Sequence, residues 1–290
     1  MSRNAAPPLS PRLQFIRVVL VLVCVVCTTM LLQLVVVSSF QHSAAQGQQF
    51  DLFRSQLANG IAPIGPTDTN GDLLALGAPV AYVEIPEIGL DEVVGEGTTA
   101  GVLFDGAGHR RDTPLPGQVG TSVIMGRRAA FGGPFGDIAS LQEGDRITVT
   151  TGQGVFEFSV IGVRYEGQPA PEPPAAGESR LMLVTAGGRD YLPEGVVRVD
   201  AQLEGDAVGG PARPVTAAGL PSNERFMAAD TSTLWALALW LQALILLCIG
   251  VVWGWHRWGR AQAWVVFLPL LLLVGLAASG EAARLLPNLL

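Results

Sequence analysis

The sequence of 290 residues contains no lysine, so all 18 of its basic side chains are arginines. Cysteine is scarce as well: Cys24, Cys27 and Cys248 are the three present, and all lie inside long apolar blocks. The region between those blocks can therefore form neither a disulfide nor a cysteine nucleophile. Only 15% of the residues are charged, against about a quarter in an average soluble domain, which disfavours an ordinary cytosolic protein.

Positive charge is also scarce where a nucleic acid would need it. Residues 41–233 hold 24 of the 25 acidic residues but only 12 of the 18 arginines, and nucleic-acid binding normally needs a basic patch. Two histidines without a cysteine make a poor metal-ligand set for this region, and no glycine-rich loop precedes a lysine. We therefore expect no nucleic acid, no metal and no cofactor.

Three apolar blocks, at residues 18–40, 234–255 and 263–280, account for the hydrophobic excess. About 20 residues suffice to cross a hydrocarbon core, so each is predicted to be a transmembrane helix. The first could instead be a cleaved signal peptide, with Ser-Ala-Ala at residues 43–45 as its cleavage site. Its apolar run exceeds the usual limit of about 15 residues, which favours an uncleaved anchor.

The arginines at the ends of these blocks predict the orientation, because positive loops stay on the cytoplasmic side. Arg3, Arg12 and Arg17 place the N-terminus inside, and Arg257 and Arg260 place the connector between the last two blocks inside as well. The predicted order is a cytoplasmic N-terminus (1–17), a transmembrane helix (18–40), an extracellular stalk (41–79), a domain (80–204), a linker (205–233), a transmembrane helix (234–255), a cytoplasmic connector (256–262), a transmembrane helix (263–280) and an extracellular tail (281–290).

Residues 80–204 have the pattern of a small all-β domain. Seven β-branched or alternating segments, each bounded by Gly, Pro or Asp, are predicted as strands: 80–85, 89–94, 121–125, 146–150, 155–166, 181–185 and 196–203. Short helical turns fit at 98–105 and 135–141. A closed barrel of seven to eight strands hides the strand edges of so small a unit.

Several ordered motifs in this domain resemble sortases, the membrane-anchored cysteine transpeptidases of Gram-positive bacteria, and in particular a class E-like actinobacterial type. The motifs are PVAYVEIPEIGLD at 79–91, GAGH at 106–109, PLPGQ at 114–118, VIMGRR at 123–128, GPFGDIASL at 133–141, GD at 144–145 and LMLVT at 181–185. The resemblance implies a sortase-like closed β-barrel, and the three apolar blocks add a transmembrane helix on its N-terminal side and two on its C-terminal side.

The resemblance also implies three catalytic positions, and this sequence departs from the family at each of them. The family's cysteine nucleophile falls at Ala186, which has no group that can attack a peptide carbonyl. The family's histidine falls at Arg127, whose guanidinium has no usable proton near neutral pH. The family's arginine falls at Gly195 or Val196. No catalytic residue is therefore predicted.

Other side chains near these positions are candidates for binding. Arg198 lies on the same strand face as Val196 and Arg189 precedes that strand, so either can occupy the space of the family's arginine. Arg127 and Arg128 either form solvated ion pairs or bind a carboxylate or phosphate in the groove. His109 is a further groove candidate, although a structural role in its turn is the favoured interpretation.

These observations predict a catalytically inactive sortase-like protein of the plasma membrane. It would act as a binding or scaffolding subunit of a cell-envelope complex, with a membrane protein, a cell-surface protein or a peptide as its partner. One alternative is a transpeptidase or hydrolase with a relocated, non-cysteine active site. Another is that the helical hairpin is the functional part, packing through small residues such as Gly250 and Gly275.

Overall fold

A computed structural model describes residues 11–68, 70–212 and 214–290; Arg3, which the orientation argument used, lies outside them. The described residues form two compact units. One comprises the chain up to Val36 together with Ser232–Ala283, and the other comprises Val37–Thr231 together with Arg284–Leu290.

The elements follow one another in an order close to the predicted one. They are α1 (Pro11–Leu32), a π-helical turn (Gln33–Val37), α2 (Ser38–Ala58), β1 (Pro79–Ile85), a 3-10 turn (Pro86–Ile88), β2 (Leu90–Glu96), α3 (Val102–Asp105), β3 (Ala107–His109), β4 (Gly120–Met125), a 3-10 turn (Ile138–Ser140), β5 (Arg146–Thr151), β6 (Gly154–Arg164), β7 (Ser179–Arg189), β8 (Leu192–Glu204), a 3-10 turn (Ser222–Glu224), α4 (Leu234–Arg257) and α5 (Arg260–Arg284).

The eight strands close into a barrel in the order β1-β2-β3-β4-β7-β8-β6-β5, with β5 paired back to β1. The pairs β2/β3 and β4/β7 are parallel, and the other neighbours are antiparallel. Closure leaves no exposed strand edge, and the predicted all-β barrel is confirmed. The strand absent from the sequence-based set is β3, which has three residues and is too short to show an alternating pattern.

The barrel interior follows from the period of two along each strand. In β5, Ile147 and Val149 are buried whereas Arg146 is exposed. Strands β4, β7 and β8 are different, because residues on their outer face are buried as well, in a second apolar cluster beside the main core. This explains the continuous apolar runs of β4 and β7, which are typical of strands covered on both faces.

Helix α2 contains residues 41–58 of the segment predicted as a stalk, and it packs along β1 and β2. Phe53 is buried, and the Gln46 side chain makes two close polar contacts. Its amide nitrogen donates to the Asp105 carbonyl at 2.8 Å, and its oxygen accepts from the Val93 N–H at 2.8 Å. These contacts fix α2 on the barrel surface.

Three helical stretches are long and apolar enough to span a membrane: Val19–Ala58, Leu234–Trp255 and Ala261–Arg284. Small residues allow their backbones to approach closely within the apolar unit. A Cβ built on Gly275 would lie 2.6 Å from the Thr29 methyl group. The Ser279 hydroxyl lies 3.2 Å from the Thr29 hydroxyl and donates to the Gly275 carbonyl at 2.7 Å.

Candidate functional site

The three positions that depart from the sortase pattern meet at one end of the barrel. Strand β4 runs parallel to β7, and the Gly126 N–H that follows β4 donates to the Val184 carbonyl at 3.0 Å. Ala186 lies opposite Val196 in the β7–β8 ladder. Arg127 immediately follows Gly126, so the sheet register brings all three positions to the same place.

Neither of the two hydroxyls on the strands beside Ala186 can replace the missing nucleophile. Ala186 itself is buried among apolar side chains. The neighbouring Thr185 hydroxyl is also buried and donates to the Gly126 carbonyl at 2.9 Å. Ser122 alternates with Val123 and lies on the same face as Ile124, which belongs to the main barrel core.

Arg127 is completely buried beside two stacked aromatic rings. The rings of Phe104 and Phe131 are parallel, with centroids 3.8 Å apart, and the Arg127 Cζ lies 4.6 Å from the first centroid and 5.2 Å from the second. Phe131 has a φ of 54°, which is uncommon for a residue other than glycine. The aromatic wall therefore includes a residue held in an unfavourable backbone conformation.

The guanidinium of Arg127 uses little of its donor capacity. Its Nη1 donates to the main-chain oxygen of Leu290 at 3.2 Å, whereas Nε and Nη2 have no hydrogen-bond partner among the described residues. Burial lowers the pKa of Arg127 to about 9, so the group stays positively charged at neutral pH. A buried donor left unsatisfied costs about 1–3 kcal/mol, which makes this an unusual way to pack an arginine.

The three other candidate arginines lie around this point but differ in their surroundings. Arg128 is mostly buried; its Nε donates to Asp190 at 3.2 Å and its Nη1 to the Ala186 carbonyl at 3.4 Å. Arg198 lies on the same face of β8 as Val196, and burial followed by the charge of Arg164 lowers its pKa. Arg189 is exposed at the β7–β8 turn.

His109 occupies a buried position with both ring nitrogens engaged. Its Nδ1 lies 2.8 Å from a Glu96 oxygen, and its Nε2 donates to the Pro114 carbonyl at 3.0 Å. These partners join β3 to β2 and to the turn before β4, so no ring nitrogen is left to activate a nucleophile.

Two chain segments that sequence reasoning did not assign to the site cover it. Residues 225–230, from the predicted linker, bring Phe226 over Arg110 and Arg198, with the guanidinium carbons 5.0 and 5.6 Å from its ring centroid. Residues 284–290, from the predicted tail, bring Leu289 into the cluster around Ala186. One signal was available: leucines beyond the last apolar block need burial somewhere outside the membrane.

Comparison with known proteins finds similarity in the barrel region. The family model of the sortase domain matches residues 83–199. Sortase D of Bacillus subtilis (strain 168) is 29% identical over 85 residues, which are 29% of this chain and 41% of that protein. The chain thus spans less than half the length of this curated relative.

Solved sortase structures are also similar to this chain. A Sortase D5 transpeptidase of Clostridium perfringens matches with 23% identity and a TM-score of 0.46, covering 56% of this chain and 99% of that one. Sortase E1 of Streptomyces coelicolor matches with 18% identity and a TM-score of 0.39, covering 45% and 91%.

Proposed function

We propose that the chain is a membrane protein with a sortase-like domain in which binding has replaced sortase catalysis; the match of residues 83–199 to the family model of the sortase domain supports this. Its groove, the outer face of β4, β7 and β8 around Ala186 and Arg127, holds a peptide or a segment of a membrane or cell-surface protein. In this role the protein is a binding or scaffolding subunit of a cell-envelope complex.

The chemistry at Ala186 is the observation that carries this proposal. Acyl transfer needs a nucleophile with a base within hydrogen-bond reach. Here the position of the nucleophile holds a methyl group, and the position of the base holds a guanidinium that is charged at neutral pH. The neighbouring hydroxyl, that of Thr185, donates to the Gly126 carbonyl. Restoring the cysteine alone would not restore catalysis, because the catalytic groups of such a site act together.

Arg127 supports binding as the retained function. Two of its donor nitrogens, Nε and Nη2, are buried and unused among the described residues, and a planar guanidinium fork suits a carboxylate or another acceptor with two oxygens. A protein that needed only packing at this position would be served better by an apolar side chain, because burying a charge without a full set of partners is costly. We therefore attribute the buried charge of Arg127 to the binding of a ligand.

We place this domain outside the plasma membrane, with the N-terminus in the cytoplasm and three spans in all. The arginines flanking the apolar helices support that orientation. A further support is the hydrogen bond from the Asp230 N–H to the Arg284 carbonyl at 3.0 Å. Helices α4 and α5 connect these two residues, so a hairpin that crosses the membrane twice returns the chain to the side where it started.

The absence of catalysis is tested with the full chain in detergent. We expect neither cleavage nor transfer of a sorting-signal peptide, and no acyl adduct by mass spectrometry. The Ala186→Cys variant should behave in the same way, because Arg127 cannot act as the acid or base. An acyl adduct on any residue between 80 and 204 of the unmodified chain would overturn the proposal.

The binding role is tested by cross-linking in native membranes. The double variant Arg127→Gln and Arg128→Gln should lose cross-linked partner, with the larger loss at low ionic strength, where the partly exposed charge of Arg128 is least screened. Arg146→Gln is the matched control, since its ion pair with Glu157 lies on the exposed surface of β5 and β6. If the double variant and the Arg146→Gln control gave equal amounts of cross-linked partner, the groove would not be the binding site.

A further inference from the structure

Residues 284–290 leave the end of α5 and run over the groove, where backbone hydrogen bonds hold them on two sides. On one side, the Asn288 N–H donates to the Ala228 carbonyl at 2.9 Å. On the other, the Arg128 N–H donates to the Leu289 carbonyl at 3.0 Å. The segment is therefore bound through its main chain, as peptides generally are in protein grooves.

Two side chains of this segment enter pockets of different character. Leu289 is fully buried in the apolar cluster that contains Ala186, Val184 and Val196. Asn288 is fully buried too, and its amide donates to the carbonyls of Thr98 and Arg225, at 3.0 Å each. An apolar pocket beside two fixed carbonyl acceptors is selective for a leucine preceded by an amide side chain.

Arg127 closes the far end of the groove. Its Nη1 donates to the main-chain oxygen of Leu290, while its buried Nε and Nη2 find no acceptor among the described residues. The groove thus has recognition groups for a leucine, an amide side chain and an oxygen acceptor. Leu289 fills the first site, the Asn288 Nδ2 donates to both carbonyls of the second while its buried Oδ1 has no partner among the described residues, and Leu290 satisfies the third only in part.

We propose that the groove is a peptide-binding site specific for an Asn-Leu-Leu segment, and that the chain's own residues 288–290 are its resident ligand. This inference rests on the proposed binding function and names the ligand class. A partner must then present a peptide of the same chemistry, with an acceptor that uses the free donors of Arg127, and it must displace the resident segment.

A thiol placed under the segment reports whether the groove is filled. The experiment uses the full chain in detergent with the substitution Ala186→Cys. The three native cysteines, Cys24, Cys27 and Cys248, are replaced by Ser. This chain is treated with a hydrophilic maleimide. The thiol should react slowly. Adding Leu289→Asp should speed the reaction at least about tenfold, because the burial of one leucine side chain is lost. Leu286→Asp is the matched control, in a half-buried leucine of the same segment, and should leave the rate unchanged.

A second variant and a peptide separate release of the segment from unfolding. Asn288→Ala adds no charge and should give an intermediate rate, with the thermal transition retained. The synthetic peptide Arg-Leu-Leu-Pro-Asn-Leu-Leu should return the thiol of the Leu289→Asp chain to slow reaction, and the same peptide with Asp for its penultimate Leu should not.

Two results would overturn the inference: a fast reaction in the chain with the unmodified segment, or a slow one that Leu289→Asp and Asn288→Ala both leave unchanged. The inference would also be refuted if Leu289→Asp speeds the reaction but the added peptide does not slow it again, since the site would then lack peptide specificity. No partner takes part in these measurements. Their failure is therefore distinct from failure of the cross-linking test, which addresses the proposed function itself.

Discussion

Arg127 combines three properties that seldom coincide in one residue. It is fully buried, it carries a positive charge at neutral pH, and it has one hydrogen-bond acceptor for five N–H groups among the described residues. The rings of Phe104 and Phe131 supply some electrostatic stabilisation to a desolvated cation. The folded domain nevertheless tolerates a cost here that an uncharged side chain would avoid.

Arg127→Met should therefore stabilise the chain while weakening partner capture. We expect a gain of about 1–2 kcal/mol, because exchanging a poorly compensated buried charge for an apolar group is often favourable. Folding lowers the pKa of Arg127 to about 9, so the charged form is penalised below that pH and the advantage of methionine should shrink above it. The measurement is the thermal transition against pH.

Arg146→Met serves as the control for this substitution, since Arg146 is exposed and its ion pair with Glu157 is long, at 3.7 Å. Its effect on the transition should be within about 0.5 kcal/mol. A lower transition temperature for Arg127→Met than for the unmodified chain would mean that the guanidinium contributes net stability.

Helix α2 is joined to the barrel by a buried polar pair. The Glu92 Oε1 lies 2.9 Å from the His42 Nε2, and both side chains are almost fully enclosed. Burial raises the pKa of Glu92 above its ordinary value of 4.5, and the hydrogen bond and charge of His42 offset only part of that rise. The attachment of α2 is therefore sensitive to the charge of one carboxyl group.

Stability should fall with rising pH through this group. A carboxyl group with a raised pKa binds its proton more tightly in the folded state, so its contribution is complete below pH 4.5 and is lost as the pH rises through the raised value. Glu92→Gln keeps the size and the hydrogen bond but does not titrate. Between pH 4.5 and neutrality, the transition temperature of Glu92→Gln should rise relative to that of the unmodified chain.

Glu84→Gln, which removes an exposed carboxyl group from β1, is the matched control and should follow the unmodified chain at every pH. If the Glu92→Gln curve were parallel to both, the buried carboxyl group would not be the source of the pH dependence.

The strands could be predicted from the sequence because each carries its own local signal. Alternation in β5 and the bounding Gly and Pro residues locate them without tertiary information. The position of α2 was not predictable in this way, since its contacts through Gln46 and His42 reach residues about 50 positions away. The motifs located Ala186 and Arg127, but no local pattern connects Arg127 to Leu290, 163 residues later.

For the molecule as a whole, the proposed topology predicts which positions an impermeant thiol reagent reaches in intact cells. In a chain whose native cysteines are Ser, Ser140→Cys and Leu286→Cys should be labelled from outside, and Gln262→Cys only after lysis. Ser140 and Gln262 are both exposed, so the contrast reports the side of the membrane. Labelling of Gln262→Cys in intact cells would show that the proposed orientation is wrong.

The resident segment also sets the order in which the protein is completed during synthesis. Strand β8 ends at Glu204, but the segment that carries Leu289 to Ala186 begins at Arg284, after both helices of the hairpin. At a translation rate of about 5–20 residues per second, the interval is roughly 4–16 seconds. During that time the barrel can close and residues 225–230 can cover part of its apolar outer face, but only the segment after the hairpin delivers Leu289. Completion of the groove is thus coupled to membrane insertion. A chain whose synthesis stalls before the hairpin would expose the apolar surface around Ala186, which could associate with other proteins.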